Sequence, residues 1–168
     1  MSILKAAVAI VLLLTTVPAH ADWRATRWGM SETEAAAAVP DSAPADPSDV
    51  QSYSNGEGRV GLVAPYRTSE FGFRVFLRFA PNGQGLSSVL LLLDDAKEQG
   101  PRLRDALTDC YGEPQLRPLT AYTVLGWETE RDIIRLIRTR DDFWSLTYVD
   151  KALPLARGQQ GPPQSDGL

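Results

Sequence analysis

The chain has 168 residues, with 17 lysines and arginines against 21 aspartates and glutamates, a formal net charge of −4, one histidine and one cysteine. The acidic balance disfavours nucleic acid or an anionic membrane as the main partner, and a lone cysteine, Cys110, excludes an internal disulfide and a thiolate metal cluster.

Lys5, the apolar run 6–17, Pro18 and the small residues of Ala19-His20-Ala21 read as a signal peptide over residues 1–21, cleaved after Ala21. The run is shorter than the ~18–20 residues that cross a bilayer, and no later stretch comes close, so no transmembrane segment is expected. No cysteine lies near the cleavage site, which argues against a lipoprotein. The expectation is a free periplasmic or secreted protein with one domain over residues 22–153 and a disordered tail over 154–168, where glycine, proline and glutamine replace core-forming residues. His20 leaves with the leader, so a Ser-His or Cys-His nucleophile and a histidine-ligated metal are excluded from the mature chain.

Ser31 and Glu34 stand at capping-box spacing, and the alanines after them predict a short helix from Ser31 that ends before Pro40. Residues 41–54, rich in Pro, Ser and Asp without a period, read as a loop or an irregular extended segment. From Arg59 the period becomes two: Val60, Leu62, Ala64 and Tyr66 alternate, then Phe71, Phe73, Val75, Leu77 and Phe79, with Arg74 and Arg78 on the opposite side. Residues 81–85 supply turn glycines, and 86–93 return as a strand buried on both faces. Leu103, Ala106, Leu107, Cys110 and Tyr111 then form one apolar helical stripe, with Pro101 in the first turn and Gly112 and Pro114 at the end. Three further strands are expected at 121–127, 132–139 and 143–149. The fold class is therefore α+β: two consecutive helix-plus-three-strand units, with helices packed on antiparallel sheet.

The segment Trp28-Gly29-Met30-Ser31 opening a short helix, the L-x-x-C-Y-G-E-P pattern from Leu107 to Pro114, and Trp127 followed by a strand ending at Tyr148 carry a resemblance. Over residues 27–150 the chain resembles small bacterial periplasmic proteins whose folds are similar to the β-lactamase-inhibitor-protein and SmpA/OmlA class. That resemblance implies helices over one face of an antiparallel sheet and a role in binding other proteins. The chain departs from the SmpA/OmlA lipoproteins in lacking a lipidated cysteine, and no binding residue carries over by position.

No catalytic, cofactor-binding or metal-binding residue is assigned. Asp94, Asp95 and Glu98 could hold calcium, but acids ahead of a helix also follow from its dipole. Glu128, Glu130, Asp132, Asp141 and Asp142 could supply a carboxylate pair for a hydrolase, or simply be solvated strand ends. Cys110 reads as a small buried hydrophobe rather than a reactive thiol. Trp23, Trp28, Trp127 and Trp144 line a groove or fill the core.

The expected partner surface is an exposed strand face bearing Arg74, Phe76 and Arg78, an aromatic between two arginines suited to an acidic partner. Cross-strand ion pairs, or cover by residues 41–54, are the alternatives. Arg131, Arg135, Arg138 and Arg140 mark a second basic strand. Together these readings favour a non-enzymatic protein that binds another envelope protein and needs no cofactor. The alternatives are a small-molecule carrier or sensor with a pocket near Trp127 or Trp144, and a carboxylate-based hydrolase.

Overall fold

Eight strands pair in one sheet in the computed structural model, which describes residues 23–153. The expected leader and the expected disordered tail lie outside the described residues. In chain order the elements are α1 (Glu32–Ala38), β1 (Ala43–Pro44), α2 (Pro47–Tyr53), β2 (Arg59–Arg67), β3 (Gly72–Phe79), a 3-10 turn (Pro81–Gly83), β4 (Leu86–Leu93), α3 (Ala96–Tyr111), β5 (Gln115–Pro118), β6 (Tyr122–Glu128), β7 (Asp132–Thr139) and β8 (Trp144–Asp150). The spatial order is β1-β2-β3-β4-β8-β7-β6-β5, antiparallel throughout, so two meanders join at β4 and β8. Among the described residues this is an α+β fold with three helices. Each meander has one more strand than expected, because β1 and β5 are too short to show a period.

The Ser31 side chain accepts from the Glu34 backbone N–H, and Glu34 reaches back to the Ser31 N–H at 2.8 Å, closing the anticipated capping box. α1 and α3 cover the first face. There Ala35, Val39, Leu103 and Leu107 meet Leu62, Val75, Leu77, Leu91, Ile134, Leu136 and Leu146 in one dry layer. Each fully buried leucine contributes on the order of 1.5–3 kcal/mol before chain entropy is counted.

Four sequence expectations are corrected. Residues 41–54 are not a loop: they hold β1 and α2, the latter capped by Asp46, whose side chain accepts from Asp49 N–H at 2.9 Å, with Pro47 preset for the first turn. Seven residues are too few for a helical period to register. Val60 leaves the alternation because a bulge between Val60 and Leu62 turns it to the second face, beside Phe76 and Leu90.

The third and fourth corrections concern α3. It begins at Ala96, so Pro101 sits inside it rather than in its first turn. Its buried positions are Gly100, Leu103 and Leu107, while Ala106 and Cys110 are exposed. Gly100 explains the rotation: a Cβ there would lie 2.4 Å from the Trp144 indole, so the bare backbone seats that ring and turns Cys110 outward. The reading of Cys110 as a buried hydrophobe is thereby overturned.

Candidate functional site

The second face of the sheet is divided. Cross-strand register places Arg74, Phe76 and Arg78 opposite Leu92, Leu90 and Ser88, and these opposite Ser145, Thr147 and Val149 on β8. Helix α2 covers the β2–β3 half. Arg74 Nη2 donates to both Asp49 carboxylate oxygens at 2.9 and 2.7 Å, and its guanidinium stacks 5.1 Å from the Phe76 ring centre. Tyr53 packs against the same ring, 4.3 Å from Phe76 between ring centres. Phe76 is fully buried and Arg78 nearly so. The expected exposed surface of Arg74, Phe76 and Arg78 is therefore corrected: these residues receive α2 of the same chain, and only Arg74 keeps substantial exposure. The side chains do share a face, as the alternation implied, but that face is occupied.

Beyond α2 a tight turn carries an acid into the sheet. The Asn55 side chain accepts from Glu57 N–H at 2.9 Å, an Asx turn, while Asn55 and Gly58 exchange backbone bonds. Gly58 has no room for a side chain, since a Cβ would lie 2.6 Å from Ser87 Oγ and 2.9 Å from the Phe79 carbonyl oxygen. That close approach drops Glu57 onto the sheet, where its carboxylate lies 3.4 Å from Arg78 Nη1 and accepts from Arg135 Nη2. Arg78 Nε donates to the Tyr53 carbonyl at 2.7 Å. Burial pulls the Arg78 guanidinium below its ordinary value, and the Glu57 charge pushes it back up. One carboxylate thus bridges two arginines from β3 and β7.

The other half of this face is left uncovered by the helices of the described residues. A groove of about 1230 Å³ runs over Leu90, Leu92, Val124 and Ile137, with Ser145 and Thr147 in its floor and the Arg78–Glu57–Arg135 cluster at one side. Its rim is formed by Leu119, Tyr122 and Phe143, which are 47%, 40% and 44% exposed; the other exposed large hydrophobic residue among the described ones, Leu116, pairs with Leu125 and so belongs to the first face. The turns hold them there. Leu119 N–H donates to the Tyr122 carbonyl at 2.8 Å, and Asp142, at φ 56°, closes the β7–β8 turn so that Phe143 projects outward. Scattered exposed hydrophobics are ordinary, whereas three around one groove make a contiguous apolar patch of the kind that marks interaction sites.

The remaining candidates are placed as follows. Trp127 and Trp144 are buried in the first-face core, with Trp127 Nε1 donating to the Gly112 carbonyl at 2.7 Å, so the space beside them is filled. Trp23 is buried too, and Trp28 is partly so. Asp132 is fully buried and accepts from Trp28 Nε1 at 2.8 Å and Thr129 Oγ1 at 2.9 Å. Glu128 pairs with Lys151 at 3.0 Å and Asp142 with Arg138 at 2.6 Å. Glu128 ends β6 opposite Ile133 while Asp132 opens β7, so these two acids lie on opposite faces, and the Asp141-Asp142 pair lies past the end of the eight-residue β7, roughly 20 Å or more away. A glycosidase pair needs about 5–9.5 Å, and neither end of β7 reaches the other. Asp95 caps α3, accepting from Glu98 N–H at 3.1 Å, and Asp94 pairs with Arg67 at 3.1 Å. No cluster of three metal-ligating side chains occurs among the described residues. Under the end of α3, burial pushes the Tyr148 phenol well above its ordinary value, with Tyr111 adding to the effect, and raises Tyr111 likewise.

Fold and groove thus describe an α+β protein with an open, partly apolar sheet face. No family model and no curated protein matches the chain. Among solved structures, the crystal structure of a DUF4309 family protein (YjgB) from Bacillus subtilis is similar at 12% identity with a TM-score of 0.46, covering 72% of this chain and 78% of that one.

Proposed function

We propose that the protein is exported to the periplasm or beyond and binds another envelope protein through the open half of its second sheet face. The observation that carries this reading is the gathering of Leu119, Tyr122 and Phe143 around one groove that the described residues leave uncovered. Aromatic and arginine side chains around an apolar floor are what protein interfaces enrich. The leader-like residues 1–21 and the resemblance to a class of protein-binding periplasmic proteins point the same way. The sheet also reads as two helix-plus-meander units, the first closing at β4 and the second opening with α3, which would put the central β4–β8 pair at the junction.

The test is crosslinking of the tagged protein, made with its own leader in its native host, in the intact envelope. A reproducible crosslinked partner that disappears with Tyr122→Asp and Phe143→Asp supports the reading. Capture unchanged by both substitutions, or no partner above background, overturns it.

A further inference from the structure

We infer that residues 154–168, which follow the described residues, run back along the groove as an extended strap. Leu155 seats on the floor and Pro162-Pro163 lie against the Tyr122 and Phe143 rim, so that a partner must displace the strap to bind. The regulatory consequence rests on the interaction reading above; the strap itself rests on how the chain leaves β8.

Strand β8 ends at Asp150, and the chain turns at once. Leu153 N–H donates to the Asp150 carbonyl at 3.1 Å, the Asp150 side chain accepts from Ala152 N–H at 2.9 Å, and Lys151 N–H donates to the Arg131 carbonyl at 2.9 Å. That turn sets Leu153 against Ile133 and Val149. Both belong to the second face, because the register runs from Arg78 through Ser88 and Val149 to Ile133. The described chain therefore ends on the grooved face, one step from the groove. The next pairs along that face are Arg135 with Thr147 and Ile137 with Ser145, all in the groove lining.

Length and composition fit this path. From Val149 to Phe143 along β8 is ~20 Å at the strand rise of ~3.3 Å per residue. In polyproline II, at ~3.1 Å per residue, Pro162-Pro163 come ~28 Å after Leu153, enough to pass the floor and meet the rim. The floor is the face of paired strands rather than an edge, so a covering segment gains no ladder bonds there. Polyproline II forgoes none, since its backbone stays solvated, and proline-rich segments dock on aromatic-lined grooves. Gly158, Gly161 and the two prolines disfavour a helical cover like α2. The other half of the same face already takes its cover from this chain, through α2 and the Glu57 turn. The strap asks no charge of Arg78 and Arg135, which are already paired with Glu57.

The experiment places a photoreactive residue in turn at Tyr122, Phe143 and, as a control, Ala106 of the purified protein made with its own leader, and maps the crosslinked peptides by mass spectrometry. The expected result is intramolecular crosslinks from Tyr122 and Phe143 to residues 154–163, absent from Ala106. Most of that yield should be lost in Leu155→Asp and in the double variant Pro162→Ser, Pro163→Ser. No crosslink to residues 154–168, equal yield from Ala106, or yield unchanged in both variants would overturn the strap. So would crosslinks that join labelled to unlabelled chains in an isotope mixture, which would put a second copy in the groove. In the intact envelope the double variant should raise partner crosslinking from Phe143, because the binding-competent fraction rises; an unchanged yield would overturn the strap's control of binding. Partner crosslinks without strap crosslinks would overturn this inference alone. Strap crosslinks without any envelope partner would overturn the interaction reading and leave the strap standing.

Discussion

Replacing Glu57 by Gln should destabilise the fold far more than loss of a surface pair. Glu57 and Arg78 side chains are only 4% and 7% exposed, so the substitution leaves the Arg78 guanidinium in a dry site without its counter-charge. Breaking one member of a buried pair costs about 3–5 kcal/mol, mainly through the stranded charge. Two features favour the lower end: Arg78 keeps its bond to the Tyr53 carbonyl, and Arg135 retains 20% exposure and some hydration. The expected loss is therefore about 3 kcal/mol, a large fraction of the ~5–15 kcal/mol that holds a domain together. In urea the midpoint should fall by roughly 1–3 M with an unchanged slope. Removing all three charges with Glu57→Leu, Arg78→Met and Arg135→Met should recover most of the loss, since apolar replacements of a buried ion cluster are often neutral or stabilising. A single-substitution loss below about 1 kcal/mol, the range of exposed pairs, would refute the view that water is excluded from this cluster.

Gly100→Ala gains up to ~1 kcal/mol of helix propensity but places a Cβ 2.4 Å from the Trp144 ring, and overpacking costs about 1–3 kcal/mol, so the melting temperature should fall; an unchanged or higher value would contradict the packing of α3. Cys110 is exposed, so Ellman's reagent should label it stoichiometrically in the native protein, and labelling only in denaturant would show that α3 is rotated otherwise. Tyr148 and Tyr111 hold their protons in the folded state above the ordinary phenol value of about 10, whereas the unfolded chain releases them there. Their contribution is thus fully present below pH 10 and lost as pH rises beyond it. Urea midpoints from pH 8 to 11 should drop more steeply above pH 10 in the wild type than in Tyr148→Phe, and equal slopes would exclude these phenols as the cause.

What the sequence made legible follows from how each element is stabilised. The strands β3, β4 and β7 bury long alternating or continuous apolar runs, and α1 announces itself through Ser31 and Glu34, so their places could be read directly. Helix α2 is short and its signal was the local pair Asp46-Pro47, which a reading by period passes over. The consequence reaches the site: without α2, nothing in the sequence decides whether residues 41–54 cover Arg74, Phe76 and Arg78, although the alternation does put the three on one face. Glu57 was missed because its role depends on Gly58 permitting close approach to Phe79 and Ser87, a contact between segments about 20–30 residues apart. The rim residues Leu119 and Phe143 sit in turns, where an apolar side chain carries no periodicity. A leucine beside Pro118, in a short turn between two strands, is the available hint.

The most direct test of the central claim is site-specific photocrosslinking in the intact envelope, with the photoreactive residue placed in turn at Tyr122, Phe143 and, as a control on the first-face side, Ala106. Crosslinks to one protein from Tyr122 and Phe143 but not from Ala106 are the predicted result. Crosslinks from Ala106 alone, or the same yield from all three positions, would contradict the open sheet face as the binding surface.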